Sequence, residues 1–169
     1  MYAATTENTV STSKEVTSLS YLEQDCPLTL REGFGQFMKS APGLIPSDES
    51  TEVGSLTKAH DCCHVLFGLT TSIRDELLAD TWTLVGSTVT IREYMRFLQH
   101  DEYKELAADL TSGANLIELI KNLPVAFKAI VRGRRMSQKW PFFDYAQYLD
   151  TPLVELRRHY NVELIPRPS

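Results

Sequence analysis

The amino-acid sequence predicts an all-α protein, a single compact multi-helix domain, on three observations. Apolar residues recur at helical spacing over most of the chain, and little of it alternates with period two. Residues that start and stop helices fall at the ends of those periodic stretches. A length of 169 residues suits one domain with room for a core. Six to eight helices are expected, an estimate of about one per periodic stretch.

The first 24 residues begin MYAATTENTVSTSKEVTSLS, a Ser- and Thr-rich stretch that predicts a flexible tail, leaving 25–169 as the helical domain. Lys14 is the one base there, beside Glu7 and Glu15, so neither a transit peptide nor a secretory signal is expected. LTLREGFGQFMKSA has helical spacing, although Gly33 and Gly35 weaken the prediction of a regular helix. PGLIPSDES reads as a connector. A helix fits Glu52 to Phe67, and Gly68 ends it as a C-cap residue. Thr70, Thr71 and Ser72 offer N-cap oxygens to a second helix, roughly Ile73 to Val85, with Asp75 placed as in a capping box.

TIREYMRFLQHDEYKELAADL is helical in pattern, with a bend expected near His100. ANLIELIKNLPVAFKAIV is a strong apolar helix in which Pro124 predicts a kink or break. RGRRMSQKW reads as a basic loop. In the last segment Thr151 precedes Pro152, an N-cap followed by Pro at the first helical position.

Net charge is −5, from 17 Lys and Arg against 22 Asp and Glu. Broad nucleic-acid binding is excluded, because phosphate contacts need clustered positive charge. No run of apolar residues is long enough to span a bilayer. Three cysteines, two of them adjacent, do not form a secreted disulfide framework and point to a reducing compartment.

The chemistry concentrates in KAHDCCHVLFGL. Successive helix residues rotate by about 100°, so His60 and His64 share a face with a shift of roughly 40°. Two imidazoles at this spacing chelate a divalent ion in the HExxH helix. Asp61 lies on the flank of that face, where it could reach a metal or orient a water. Cys63 lies near the other edge, whereas Cys62 points away. Glu76 would be about 18 Å from His64 on one unbroken helix. The stop at Gly68 and the restart at Thr70–Ser72 remove that distance by folding the second helix back. Two nitrogens with one or two carboxylates suit zinc and tolerate other divalent ions, and an incomplete shell leaves room for water or substrate. The alternative is that both histidines are ordinary helix residues hydrogen-bonded to their neighbours.

HDCCHVLFGLTTSIRDE fits H-D-x-x-H-x11-E and resembles the signature of the Coq-four family of ubiquinone-biosynthesis proteins, as a bacterial-type member. EGFGQFM, the Leu66 and Gly68 positions, and FDYAQYLDTPLVELRRHYNV are similar to other segments of that family, over roughly Leu28 to Ile165. The resemblance implies a divalent metal, zinc first with magnesium or iron as alternatives, held by His60, Asp61, His64 and Glu76. It also implies a role in ubiquinone assembly, as a scaffold for other enzymes or in oxidative decarboxylation at ring carbon one of a prenylated precursor. Asp61 would then complete the shell or serve as the catalytic base. The family usually has Gly where this chain has Asp75, which changes the charge beside the site.

An isoprenoid substrate implies an apolar lipid pocket, with Leu66, Phe67, Phe97, Leu116, Ile117, Ile120, Phe127 and Ile130 as candidate lining, although stripes of this kind are commonly plain core. Arg132, Arg134, Arg135 and Lys139 are candidates for head-group or membrane contact, the alternative being a solvated loop or a cation-satisfied helix end. Expected partners are a prenylated quinone precursor, other quinone-biosynthesis proteins, a membrane surface and a second copy of the chain. The expected location is the cytoplasm, peripheral to a bacterial inner membrane. A redox role for Cys62 and Cys63 is disfavoured, since working dithiols are usually spaced CxxC. His100–Asp101 lacks the partners of an HD phosphohydrolase, and His159 reads as a surface residue. Besides the enzyme, a scaffold or lipid carrier with a structural metal is expected as the alternative. An HExxH-type hydrolase is disfavoured because Asp61 is a methylene shorter than the glutamate used there.

Overall fold

Helix starts follow from capping chemistry. The Glu32 amide donates to Thr29 Oγ1 at 3.2 Å while the Thr29 amide donates to the Glu32 carboxylate at 2.8 Å. This reciprocal pair satisfies donors that have no partner within the helix and opens α1 (Leu30–Ser40) as a regular helix despite its glycines. Thr51 and Ser72 accept from the Gly54 and Asp75 amides and open α2 (Glu52–Leu66) and α3 (Ile73–Gly86). The remaining helices among the described residues are α4 (Ile91–Phe97), α5 (Gly113–Arg135) and α6 (Leu153–Tyr160), with 3-10 segments at Ser20–Leu22 and Phe142–Tyr148. The computed structural model describes residues 19–41, 50–97, 99 and 113–167. The described residues are mostly helical and contain no strand, with isolated bridges at Thr29–Pro152 and Ser87–Trp140. The 42–49 connector, most of the 1–24 tail and the His100–Asp101 pair lie outside the described residues.

Gly68 reverses the chain between α2 and α3. Its φ is +66°, a conformation that favours glycine, and a Cβ placed there would meet Leu164 Cδ1 at 2.8 Å and displace that side chain. The Leu69 amide donates to His64 O at 2.8 Å and the Gly68 amide to Val65 O at 3.3 Å. Together they close α2 with a Schellman arrangement, satisfying two carbonyls of its last turn.

α3 and α5 form the longest helix–helix contact, and small residues make it close. Ala126, Ala129 and Gly133 are buried on the inner side of α5, where a Cβ on Gly133 would sit 2.6 Å from Val85 Cγ2. With small residues facing inward, the large apolar ones face out. Leu116, Ile117, Ile120, Leu123 and Phe127 are all exposed, Phe127 at 64%. Three expectations change here. α5 runs through Pro124 without a break, because Pro124 and Ile120 lie on the exposed side, where water can take the carbonyl that proline leaves unbonded. Arg132, Arg134 and Arg135 form the last helical turn rather than a loop, a position where cations complement the helix dipole. The expected pocket lining also disperses, as described below.

Arg157 organises the C-terminal side. It is 1% exposed, and its guanidinium donates to Leu66 O at 2.9 Å, Val65 O at 3.0 Å, Tyr21 O at 2.6 Å and Gln24 O at 3.3 Å, and also to Glu23 O. Burial lowers its pKa to about 10, which still leaves it charged at neutral pH. A buried charge of this kind is tolerable because every donor direction meets a carbonyl dipole. Two sequence boundaries move as a result. Tyr21 is fully buried, so 19–24 belong to the packed domain rather than to the tail. Pro152, not Thr151, occupies the N-cap of α6, and the first free amides, Leu153 and Val154, donate to Leu28 O and Cys26 O at 2.8 and 2.9 Å. One buried cluster draws residues from all six helices of the described residues. No helix among the described residues is long and apolar enough to cross a membrane.

Candidate metal centre

The site is assembled by α2, the Gly68 turn and the start of α3. His60 and His64 project from α2 with ring centroids 4.9 Å apart. The turn brings Glu76 over them, and one ligand atom from each of His60, His64 and Glu76 lies within 4.8 Å of the others. This group could hold a metal ion. His64 is 1% exposed and stacks on Phe37 at 5.1 Å between centroids. Its Nδ1 lies 3.1 Å from the Thr70 carbonyl oxygen, which can only accept, so the proton resides on Nδ1. Nε2 then faces Glu76 Oε2 at 3.4 Å. A lone pair and a carboxylate oxygen directed at each other call for a cation between them, either a proton or a metal. Two ligands about 2.1 Å from a tetrahedral ion lie roughly 3.4 Å apart, so the spacing fits.

A second carboxylate, missed in the sequence, flanks the first. Asp80 follows Glu76 by one helical turn, and its Oδ1 lies 3.3 Å from His60 Nε2 while accepting from the Tyr94 hydroxyl. The pattern is His-x3-His on α2 against Glu-x3-Asp on α3. The four-residue spacing was visible in the sequence; that this face of α3 meets α2 was not. Carboxylates commonly support metal-binding histidines in this way. Burial alone would lower the His60 pKa, yet the hydrogen bond and charge of Asp80, with Glu76 and Asp61 adding, raise it above its ordinary value. For Asp80 burial acts upward, but His60 and the Tyr94 hydroxyl outweigh it and hold the carboxyl below its usual range.

Asp61 is mostly buried beside this group but is not among the three residues whose ligand atoms converge. Burial raises its pKa, partly offset by His60 and His64, and Glu76 raises it further. Cys62 and Cys63 are fully buried and neither is in a disulfide, and burial pushes the Cys63 thiol up to about 12. A thiol so little ionised is not a nucleophile.

The other expected site residues do not converge. Leu66 and Phe67 belong to the core, Phe67 stacking on Trp82 at 4.5 Å, whereas Leu116, Ile117, Ile120 and Phe127 face solvent and Ile130 is half-buried. The Phe97 side chain lies outside the described residues. The physical reason is the close α3–α5 approach, which uses small residues and excludes the large ones. Among the basic residues, Arg132 is committed to the C-terminal segment through Glu163 and Leu164, while Arg134, Arg135 and Lys139 are exposed. His159 sits exposed in the last turn of α6, its Nε2 2.6 Å from Gln138 Nε2.

The fold and site define a helical protein with a candidate divalent-metal centre. Comparison with protein-family models, with curated proteins and with solved structures finds no match.

Proposed function

We propose that this chain is a ubiquinone-biosynthesis-like protein of the Coq-four type, which holds a divalent metal and binds a prenylated quinone precursor or another isoprenoid lipid. The observation that carries this reading is the convergence of His60, His64 and Glu76, three residues of the H-D-x-x-H-x11-E motif, around one small volume. When bound, a divalent ion supplies Lewis acidity toward a carboxylate or phenol oxygen of the substrate. The chain's own residues do the rest. Thr70 keeps the His64 Nδ1 protonated, Asp80 orients His60, and Asp61 lies buried beside the group, where it would complete the shell or serve as the base. Zinc is redox-inert, so an oxidative decarboxylation would call for iron, dioxygen or a partner enzyme.

The lipid side of the proposal moves from an enclosed tunnel to a surface. The outward stripe of α5, with exposed Ile91 and Met95 of α4, offers apolar contact, and exposed Arg134, Arg135 and Lys139 suit anionic head groups. That stripe also favours a second reading, a non-catalytic scaffold or lipid carrier whose metal is structural.

Native mass spectrometry with metal analysis tests the site. The wild-type protein is expected to carry one divalent ion, and His64→Ala to lose it. A variant that keeps its metal would overturn the assignment. An isoprenoid recovered from the same preparation would support the lipid reading.

A further inference from the structure

The first turn of α3 carries a carboxylate that plays no part in ligating the proposed metal. Asp75 directly precedes Glu76, and its side chain is only 4% exposed. A buried carboxylate is costly unless it is fully paired. Four donors serve it: the Thr70 amide at 2.9 Å, the Thr70 hydroxyl at 2.7 Å and Arg167 Nη2 at 2.8 Å on Oδ2, and Arg74 Nη1 at 2.6 Å on Oδ1. The two arginines reach further. Arg74 Nη2 donates to Pro166 O at 3.1 Å, and Arg167 Nη2 donates to Gly68 O at 3.3 Å.

Thr70 is the hinge of the arrangement. The carboxylate holds its amide and hydroxyl, and its carbonyl accepts from His64 Nδ1 at 3.1 Å. One carboxylate thus joins the Gly68 turn, the start of α3 and the C-terminal segment to the imidazole that faces Glu76. Metal-binding histidines are commonly steadied by a direct partner; here the support runs one residue further, from carboxylate through threonine to imidazole.

We infer that Asp75, with Arg167 and Arg74 as its counter-charges, is a positioning residue that fixes the tautomer and orientation of His64 and the placement of Glu76. Its consequence for metal affinity rests on the function proposed above, whereas its hold on His64 does not. Breaking the network lets the Thr70 carbonyl drift, and the imidazole then samples the tautomer whose lone pair is on Nδ1.

Two readouts test this on the full chain. Nitrogen-15 spectra of the metal-free protein report the His64 tautomer, and titration with Co2+, followed by its visible absorption, reports affinity and ligand geometry. At a pH where the ring is neutral, the wild type is expected to show the pure Nδ1–H tautomer. Arg167→Ala and Asp75→Asn are expected to mix the tautomers and weaken Co2+ binding by about 10-fold, within the range for loss of an outer partner. Arg167→Lys should restore much of both, and unfolding midpoints of the metal-free variants identify any that are merely misfolded. Unchanged tautomer and affinity in both variants would overturn the inference, leaving the metal site intact. If the wild type takes up no Co2+ while Arg167→Ala still releases the tautomer, the metal reading fails and the positioning of His64 stands.

Discussion

Glu76 and Asp80 face the two imidazoles from successive turns of α3, and each changes what its imidazole can do. Glu76 leaves His64 Nε2 aimed at a carboxylate oxygen, while Asp80 keeps His60 protonated to a higher pH than an ordinary histidine. Protons compete with a metal for the His60 imidazole. Acidification should therefore release the metal at a higher pH than an unperturbed histidine would allow. Asp80→Asn removes the raising influence, so the release midpoint in a metal-binding titration should move to lower pH. The sign reverses for the stability of the metal-free protein. A raised His60 pKa stabilises the fold fully below the ordinary value near 6.5, and that contribution is lost as pH rises through the folded-state value. Denaturant midpoints should show this slope in the wild type and a flatter one in Asp80→Asn.

Among the elements, the α2–α3 hairpin depends on one backbone conformation. Gly68→Ala would force a side chain into a left-handed conformation and against Leu164, and is expected to destabilise by about 1–3 kcal/mol. Urea unfolding measures that loss, and weakened metal uptake should accompany it, because the turn sets the approach of Glu76. This hairpin was legible in the sequence, since glycine, threonine and serine announce a stop and a restart through local chemistry. Three of the four residues in the motif did converge. α5 was not legible in the same way. Its large apolar residues read as core, but burial depends on which face finds a partner, and Ala126, Ala129 and Gly133 gave α3 the closer approach. Asp80 escaped notice for a related reason: its spacing from Glu76 was plain, yet the face α3 turns toward α2 is a tertiary fact. Capping rules likewise placed Ser72 correctly but not the Asp75 carboxylate, which turns from the helix start to Thr70.

For the whole molecule, an exposed stripe and a buried clasp of opposite character matter. The outward stripe of α5 contributes little to the core, so Ile120→Ser with Phe127→Ser should change stability by no more than about 0.5 kcal/mol for each substitution. Adsorption to anionic vesicles, measured by co-sedimentation, should fall if that face contacts lipid. Arg157 lies at the other extreme. Arg157→Met would take this donor from the buried carbonyls of Tyr21 and Leu66, at a cost of about 3 kcal/mol or more in chemical denaturation. Its position also sets an order of events during synthesis. The guanidinium that completes the end of α2 belongs to a residue translated 91 positions after Leu66. A ribosome releases the two histidines long before it releases the clasp that steadies their helix. The nascent chain therefore presents its imidazoles on an unfinished frame, and a metal delivered early would meet a looser, less selective site than one delivered after the last helix has docked.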